Sequence, residues 1–506
     1  MLRWSLLLGL VPAIVVSCGG RSSSAPPIVG DDAGDDGGGG SSLLYAPASC
    51  KYTVSPPATL GYTNLALDDD GPVDPTMGAP VRVRVGLGGA TTMGQPGYAD
   101  PTTSAAFTWE TAQQNNAAKV QMGTSPTALS QVSTGYAWTL VPVLGSADTY
   151  FHEVHVCGLT PDTTYFYQVG GGPAGSEVWS ATQSFTTMPA TIPSEGITVG
   201  VFGDARDTVA TWQAVHVRMK AVGVLMSLVG GDVVDIGAEE PLYSQWLSGI
   251  WQYPSGSSTF LTLGQQYILP INGNHENDTA TSFANWAIPG DGPYAETYAS
   301  FAVGSVHFTM IDDEQIAESN SGAEAQAQLA WVDQDLNAAN GDRTNHPFIV
   351  VISHRGIFST SLHSTDPDVL QARTSLAPLY DKYKVDLVVN GHDHEYERTY
   401  PITNGNPPTV QPAGQGTTYV ICAGAGADPY AVGTTSVPYR CTKTGFGPNS
   451  PPGTPFIGAY SLLQIMPTQL TLTAYGLVAS GSTPMDDTVI DTVCLGQGCA
   501  PSTCQQ

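Results

Sequence analysis

The fold is most readily inferred from Val385-Asp386-Leu387-Val388-Val389-Asn390-Gly391-His392-Asp393-His394, an apolar run that ends in glycine and two histidines. Four other blocks also place metal-ligating side chains directly after a hydrophobic run. They are Gly203-Asp204-Ala205-Arg206, Gly231-Asp232-Val233-Val234-Asp235, Gly273-Asn274-His275-Glu276 and Val351-Ile352-Ser353-His354. One such block alone is more typical of an ordinary turn than of a metal site. Five in this order predict a single site that draws its ligands from several strand ends.

The apolar runs before the blocks are short and rich in β-branched residues, which is typical of buried strands. They cover Ile197–Phe202, Val224–Val229, Tyr267–Ile271, Phe348–Ile352 and Val385–Val389. Segments of helical composition, such as Ala323–Ala339, lie between them. Alternating strands and helices predict an α/β fold, in which functional groups gather at the carboxyl ends of the strands. The ligands can therefore converge although Asp204 and His394 are 190 positions apart (394 − 204).

The side chains in the blocks are carboxylates, an amide and imidazoles, with no thiolate among them. Such donors suit hard or borderline divalent and trivalent metal ions. A carboxylate such as Asp232 has two oxygens and can bridge two ions. Two ions about 3.5–4 Å apart can activate a water and stabilise the entering and leaving oxygens at phosphorus.

The last block, Gly391-His392-Asp393-His394-Glu395-Tyr396-Glu397-Arg398, is similar to that of the plant-type purple acid phosphatases. The order of all five blocks resembles the calcineurin-like metallophosphoesterase superfamily, and His363 lies where the plant enzymes carry a substrate-facing histidine. The resemblance covers residues 77–475. It implies a two-sheet α/β sandwich of the metallophosphoesterase type, preceded by an all-β sandwich domain.

The resemblance also implies a role for each matching residue. Asp232 would bridge two metal ions (Fe, Zn or Mn). Asn274, His354 and His392 would complete the second metal site, and Asp204 and His394 would hold the first metal. His275 and His363 would contact phosphate or protonate the leaving group.

Two residues depart from the family pattern. Purple acid phosphatases place a tyrosine three residues after the bridging aspartate, whereas this chain has Asp235, so no purple colour is expected. The wider superfamily often has Asp-x-His in the first block, whereas the third residue here is Arg206. The first metal therefore loses two possible ligands, for which Asp207 or His216 could compensate. Alternatively, Arg206 would lie near the site and bind phosphate through two hydrogen bonds. This favours a weakly held first metal or a mononuclear resting state.

The N-terminal residues predict export. Arg3 precedes the apolar stretch Leu6–Val16, which is typical of a signal peptide and too short to span a bilayer. Val15-Val16-Ser17-Cys18 resembles a bacterial lipobox, so residues 1–18 are interpreted as a lipoprotein-type signal with Cys18 as the lipidated N-terminus. The alternative is an ordinary secretory signal with a chance cysteine. Residues 19–45, mainly Gly, Ser and Asp, are predicted to be a disordered tether. We expect a protein of the cell surface or periplasm that contacts the membrane only through its lipid anchor.

The rest of the chain divides into two domains and a tail. Residues 46–190 contain alternating segments, and Leu159–Tyr167 resembles the tyrosine-corner stretch of fibronectin type III domains. These residues are therefore predicted to form a fibronectin III-like β-sandwich. Residues 194–476 are predicted to form the phosphoesterase domain, and residues 477–506 a cysteine-containing tail.

Composition agrees with export and argues against some partners. The 506 residues carry a net charge of −27, which disfavours binding to nucleic acid or to anionic membranes. Of the eight cysteines, seven remain after Cys18, which predicts disulfides and one odd thiol without fixing the connectivity. The oligomeric state is not indicated.

The expected function is an exported, metal-dependent phosphoric ester hydrolase of the acid phosphatase-like phosphomonoesterase kind. A metal-bound hydroxide would attack phosphorus, Arg206 or Arg355 would stabilise the developing charge, and His275 or His363 would supply a proton. The alternatives are a phosphodiesterase or nucleotidase, or a catalytically inactive surface binding protein.

Overall fold

A computed structural model describes residues 45–68, 78–89, 98–142, 147–251, 262–290, 296–430, 435–451, 456–478, 486–500 and 504. The predicted signal and lipid anchor, and all of the tether except Tyr45, lie outside these residues.

Two facing sheets of short antiparallel strands form most of the N-terminal part. In chain order the strands are β1 Leu65–Leu67, β2 Val81–Gly86, β3 Tyr98–Ala99, β4 Ser104–Thr111, β5 Lys119–Gly123, β6 Gln131–Thr134, β7 Tyr136–Leu140, β8 Thr149–Cys157, β9 Thr164–Gly171, β10 Val178–Trp179 and β11 Gln183–Thr186. One sheet has the order β1-β7-β8-β4-β2, and the other contains β10-β9-β5-β6 with β11 beside β9. The Thr160 N–H donates to the hydroxyl of Tyr165 over 3.0 Å, as in a tyrosine corner. The predicted β-sandwich is present.

The larger part alternates strands and helices. The strands are β12 Ile197–Phe202, β13 Met226–Val229, β14 Tyr267–Pro270, β15 Tyr298–Val303, β16 Val306–Ile311, β17 Phe348–Ser353, β18 Leu387–Asn390, β19 Tyr396–Thr399, β20 Ile402–Thr403, β21 Thr409–Val410, β22 Thr418–Cys422, β23 Arg440–Thr444, β24 Phe456–Met466, β25 Gln469–Val478 and β26 Asp486–Gly496. The helices are α1 Val209–Ala221, α2 Glu240–Trp251, α3 Ala280–Ala284, α4 Glu314–Glu318, α5 Ala323–Gly341 and α6 Pro367–Tyr383. Two short 3-10 helices are Pro57–Thr59 and Gly447–Asn449.

Two sheets carry the centre of this part. One runs β14-β13-β12-β24-β25-β26, with β12, β13 and β14 parallel, and the other runs β23-β19-β22-β18-β17-β16-β15-β3, with β16, β17, β18 and β22 parallel. The apolar runs predicted as strands are β12, β13, β14, β17 and β18, and they are buried. The predicted two-sheet α/β sandwich behind an all-β domain is therefore confirmed.

The two domains are joined through shared sheets. Strand β2 of the N-terminal sandwich pairs with β14 at Val85 and Tyr267, and β3 pairs with β15. One hydrophobic core includes side chains of both parts. A boundary at residues 190–194 marks a change of architecture, but the packing continues across it.

The last part of the chain differs from the predicted tail. Residues 486–496 form β26, an edge strand paired with β25 along its full length. From it the Asp491 carboxylate accepts hydrogen bonds from Arg398 Nε at 2.5 Å and Nη2 at 3.1 Å, and from the Tyr396 hydroxyl at 2.8 Å. The sandwich thus extends to residue 496. The prediction ended it at 476 because the polar composition beyond that point suggested no strand, although an edge strand needs only one apolar face.

Three disulfides link Cys50 to Cys157, Cys441 to Cys504 and Cys494 to Cys499, and Cys422 is a buried free thiol. This agrees with the expectation of disulfides and one odd thiol. No helix among the described residues is long and apolar enough to cross a membrane.

Candidate metal centre

The predicted ligands lie in tight turns at the carboxyl ends of β12, β13, β14, β17 and β18. Three of them have left-handed backbones, with φ of 58° at Asp204, 56° at Asp232 and 74° at His392. Such conformations are unfavourable for most residues and occur often at functional sites. Neighbouring turns also approach very closely: a Cβ on Gly273 would lie 2.3 Å from Asp232 Oδ1, and one on Gly391 would lie 2.5 Å from Asp204 Oδ2. Glycine at these positions lets the ligand loops converge.

Four ligand atoms meet on one side of the centre, which we call the Asn274 half (Asp232, Asn274, His354 and His392). Asn274 Oδ1 lies 3.0 Å from His354 Nε2 and 2.9 Å from His392 Nδ1. His354 Nε2 lies 3.4 Å from Asp232 Oδ1. Ligand atoms around one four-coordinate ion with ordinary bond lengths are about 3.4 Å apart. This half therefore fits a metal ion.

The hydrogen bonds of His354 define which nitrogen faces the centre. Its Nδ1 is 2.8 Å from the Gly230 carbonyl, which can only accept, so Nδ1 carries a hydrogen and Nε2 faces the amide and carboxylate oxygens. That arrangement is favourable only with a proton or a metal cation between these atoms. Burial lowers the pKa of His354, but the carboxylates of Asp232, Asp204 and Glu314 outweigh it and raise the pKa to about 9. The cluster attracts positive charge.

The other side, the Asp204 half (Asp204, His394 and Arg206), has fewer donors. His394 Nε2 lies 3.3 Å from Asp204 Oδ1, and its Nδ1 donates to the Asp428 carbonyl at 2.5 Å. His394 Nε2 is buried and makes no hydrogen bond to the described residues. Asp204, Asp232 and His354 each bring a ligand atom within 4.8 Å of the others, so the two halves are contiguous.

Arg206 lies on the Asp204 side of Asp232. Its Nε is 3.8 Å from Asp232 Oδ2, whereas Asp232 Oδ1 faces His354. Its Nη1 donates to Asp235 Oδ1 at 2.7 Å and to Asp207 Oδ2 at 3.4 Å. The two residues that depart from the family pattern, Arg206 and Asp235, therefore contact each other.

The two predicted proton donors lie at the rim, each about a quarter exposed. His275 donates its Nδ1–H to the Asp235 carbonyl at 2.7 Å, which leaves Nε2 3.8 Å from Asp232 Oδ2. His363 Nδ1 lies 2.8 Å from Asp366 Oδ2, and its ring centroid is 4.4 Å from that of His392. Both imidazoles can therefore contact a ligand bound at the centre.

Neither of the residues suggested to compensate at the first metal does so. Asp207 bonds to Arg206 and accepts the Asp428 N–H at 3.2 Å. His216 is buried in α1, where it packs on Trp212 and bonds to Gln266 at 3.0 Å. His307 pairs with Asp335 at 2.9 Å in the core.

Arg355 does not lie where the sequence analysis expected it, which was beside the phosphoryl group. Its Nε and Nη2 bind the two oxygens of Glu314 at 3.1 and 2.6 Å, and Nη1 contacts Asp368. The guanidinium is thus committed to carboxylates and is not aimed at the centre. Its charge partners come from α4 and α6, which the five blocks do not include.

Two further residues shape the centre. The Glu276 carboxylate accepts the N–H groups of Asp232, Val233, Val234 and Gly273 over 2.8–3.1 Å, so it clamps two ligand loops together. The Tyr430 ring stacks on His394 with centroids 3.8 Å apart, and its hydroxyl is 3.4 Å from Arg206 Nη2. Glu276 belongs to the third of the five blocks of the sequence. Tyr430 follows a Gly- and Ala-rich loop and carried no signal in the sequence.

Comparison with known proteins agrees with this architecture. Residues 96–187 match the model of the purple acid phosphatase N-terminal domain, and residues 197–396 match that of the calcineurin-like phosphoesterases. The chain is 28% identical over 311 residues to purple acid phosphatase 21 of Arabidopsis thaliana, covering 59% of this chain and 64% of the relative. It is 29% identical over 259 residues to purple acid phosphatase 22 of the same plant, covering 50% and 54%. These matches span less than two thirds of the relatives' length.

Solved structures show the same fold. Purple acid phosphatase PPD1 from yellow lupin aligns with a TM-score of 0.62 at 19% identity, covering 85% of this chain and 77% of that one. A structure of PhoD aligns with a TM-score of 0.56 at 12% identity, covering 83% and 91%. The chain therefore combines a calcineurin-like phosphoesterase domain with a preceding purple acid phosphatase N-terminal domain, as in the purple acid phosphatases to which it is similar.

Proposed function

We propose that the protein is an exported, metal-dependent phosphoric ester hydrolase, and more narrowly an acid phosphatase-like phosphomonoesterase. The observation that carries the proposal is the Asn274 half, where four ligand atoms from four loops lie 2.9–3.4 Å from their neighbours. A structural role does not require buried lone pairs to face one another in this way. Metal ions bound here would lower the pKa of a coordinated water and draw charge from phosphoryl oxygens.

The side chains around the centre support in-line hydrolysis. Arg206 offers guanidinium hydrogens beside Asp232, where charge develops on the phosphoryl group. His275 Nε2 and the His363 ring lie at the exposed rim, where a leaving alkoxide needs a proton. Because the Asp235 carbonyl and Asp366 engage the Nδ1 atoms of these rings, Nε2 is the nitrogen that would meet the substrate.

Export and lipid anchoring are part of the proposal. They are supported by the signal-like stretch and lipobox-like residues 15–18 and by the three disulfides, because such bonds persist mainly in oxidising compartments. A phosphate ester is the proposed substrate. The charge of −27 favours a small ester over nucleic acid.

The test is hydrolysis of aryl phosphate monoesters and diesters by the purified full chain after loading with Mn, Zn, Fe or Co. Asp232→Asn is compared with Asp333→Asn, the same change at a half-exposed surface position. We expect turnover of monoesters that Asp232→Asn abolishes and Asp333→Asn preserves. Preferred diester turnover would replace the phosphomonoesterase by the phosphodiesterase alternative. A folded, metal-loaded protein with no turnover on either class would refute the hydrolase and favour a binding protein.

A further inference from the structure

The further inference concerns the number of metal ions. The two halves of the centre present different charges to the two oxygens of Asp232. Oδ1 faces His354 Nε2 at 3.4 Å, in the half that carries the amide and two of the imidazole donors. Oδ2 faces the Arg206 guanidinium, whose Nε lies 3.8 Å away. An ion that shared Oδ2 would therefore lie next to a permanent positive charge.

The guanidinium is fixed from its outer side. Nη1 is held by Asp235 at 2.7 Å and by Asp207 at 3.4 Å, and Nη2 lies 3.4 Å from the Tyr430 hydroxyl. The side chain is only 10% exposed, so it cannot swing into solvent without losing these contacts. Asp235 stands where a purple acid phosphatase has its metal-binding tyrosine, and here it binds arginine instead.

One donor of this guanidinium is still unused. Arg206 Nε is buried and makes no hydrogen bond to the described residues. A buried unpaired N–H is costly unless a ligand or water accepts from it. Because Nε lies beside Asp232, its hydrogen is available to an oxygen of an anion bound at the centre.

We propose that the Arg206 guanidinium, held by Asp235, takes over the charge of the first metal ion, so that the protein holds one ion tightly in the Asn274 half and binds a second only weakly. The guanidinium then serves as the second electrophile of the centre and contacts the anionic ligand through Nε. This inference deepens the proposed function, but it concerns metal stoichiometry and stands whether or not the centre turns over esters.

The test counts metal ions in the full chain. Protein is stripped with a chelator, loaded with Mn or Zn, dialysed and analysed by mass spectrometry, and each affinity is measured by calorimetry. The variants are Arg206→Gln, which removes the charge, and Arg206→His, which supplies an imidazole at the third position of the first block. The matched control is Arg440→Gln, which alters a partly buried arginine that bonds to Thr360 and Thr435 instead.

We expect the wild type and Arg440→Gln to retain one ion per chain. The second ion should bind on the order of 100-fold more weakly, because like charges about 4 Å apart repel by a few kcal/mol. Arg206→Gln should strengthen the second binding step at least about tenfold, and Arg206→His should retain close to two ions per chain.

Two tightly held ions in the wild type would overturn the inference. A second affinity that Arg206→Gln leaves unchanged would overturn it as well. Asp232→Asn is a second control. It should lose the tight ion and still melt cooperatively, so that the loss of an ion can be told apart from misfolding. Esterase assays on the same samples separate this inference from the proposed function: one tight ion without turnover refutes only the function.

Discussion

The two halves of the metal centre are built from the same kind of turn but supplied with different chemistry. In the Asn274 half, Asn274, His354 and His392 meet around Asp232 Oδ1. In the Asp204 half, Asp204 and His394 face each other, and the Arg206 guanidinium lies 3.8 Å from Asp232 Oδ2. The comparison teaches that a shared scaffold does not guarantee equivalent sites. Strand ends fix where ligand atoms can be, and single residues in the turns decide what charge is placed there.

The largest expected effect comes from removing one histidine from each half. His354→Ala should lower kcat/KM by about 10³-fold or more, because losing a ligand of the tight ion removes several kcal/mol of transition-state stabilisation. His394→Ala should lower it by only about 10–100-fold, because Arg206 already carries charge in that half. Rates and metal content are measured together at saturating metal. Equal losses in both variants would show that the halves contribute equally.

The next effect comes from the carboxylate that clamps the loops of the Asn274 half. Glu276→Gln replaces one acceptor oxygen by an N–H₂ group that faces backbone donors. Supporting groups of this kind typically change metal affinity by about 10–100-fold, and we expect a loss in that range for the tight ion. Calorimetric titration checks it. The surface variant Glu318→Gln is the control, and an unchanged affinity in Glu276→Gln would show that the loops hold without the clamp.

A third variant tests the fold without touching either half. Asp491→Ala removes the carboxylate that pairs with Arg398, whose side chain is 1% exposed. Breaking a buried ion pair by removing one partner typically costs about 3–5 kcal/mol, so a clear drop in Tm is expected. The metal-loaded variant should keep its KM below the melting range. An unchanged Tm would mean that β26 is peripheral, as the sequence analysis had it.

The variant with the smallest expected effect tests the pH dependence of the fold separately from that of the metal centre. Burial, together with the charge of Glu153, raises the pKa of Glu296 well above its usual value, with partial relief from the Ile288 N–H. The folded state therefore holds a proton that the unfolded state releases. The contribution of Glu296 to the free energy of unfolding is full below the pKa of the unfolded state and is lost as the pH rises through the pKa of the folded state. Glu296→Gln, which resembles the protonated form, should flatten the decline of Tm on the alkaline side. A curve parallel to the wild type would contradict this.

The strands and the ligand set could be predicted because hydrophobic periodicity and block order are local signals. The runs ending at Phe202 and Val229 end there as strands in the structure. Resemblance placed Asp232, Asn274, His354 and His392 at one point, and the structure brings these four side chains together.

The features that were not predicted share a physical cause: they depend on long-range contacts, which leave no local pattern in the sequence. Arg355 bonds to Glu314, 41 positions earlier, and Tyr430 reaches Arg206 across 224 positions. The polar strand β26 looked like a tail because only its pairing with β25 reveals it. The pairing of Arg206 with Asp235 was equally hidden, although each residue had been noted separately as a departure.

The Arg398–Asp491 pair also bears on the order in which the protein can mature. Arg398 lies on the strand that follows the His392 and His394 turn, and its carboxylate partner is made 93 residues later. During synthesis the turn that carries His392 and His394 is thus made well before Asp491, whose carboxylate pairs with the neighbouring Arg398. A chain that stopped before residue 486 would contain all six predicted metal ligands and still lack Asp491. Counting ligands in a fragment would therefore overstate its readiness to bind metal.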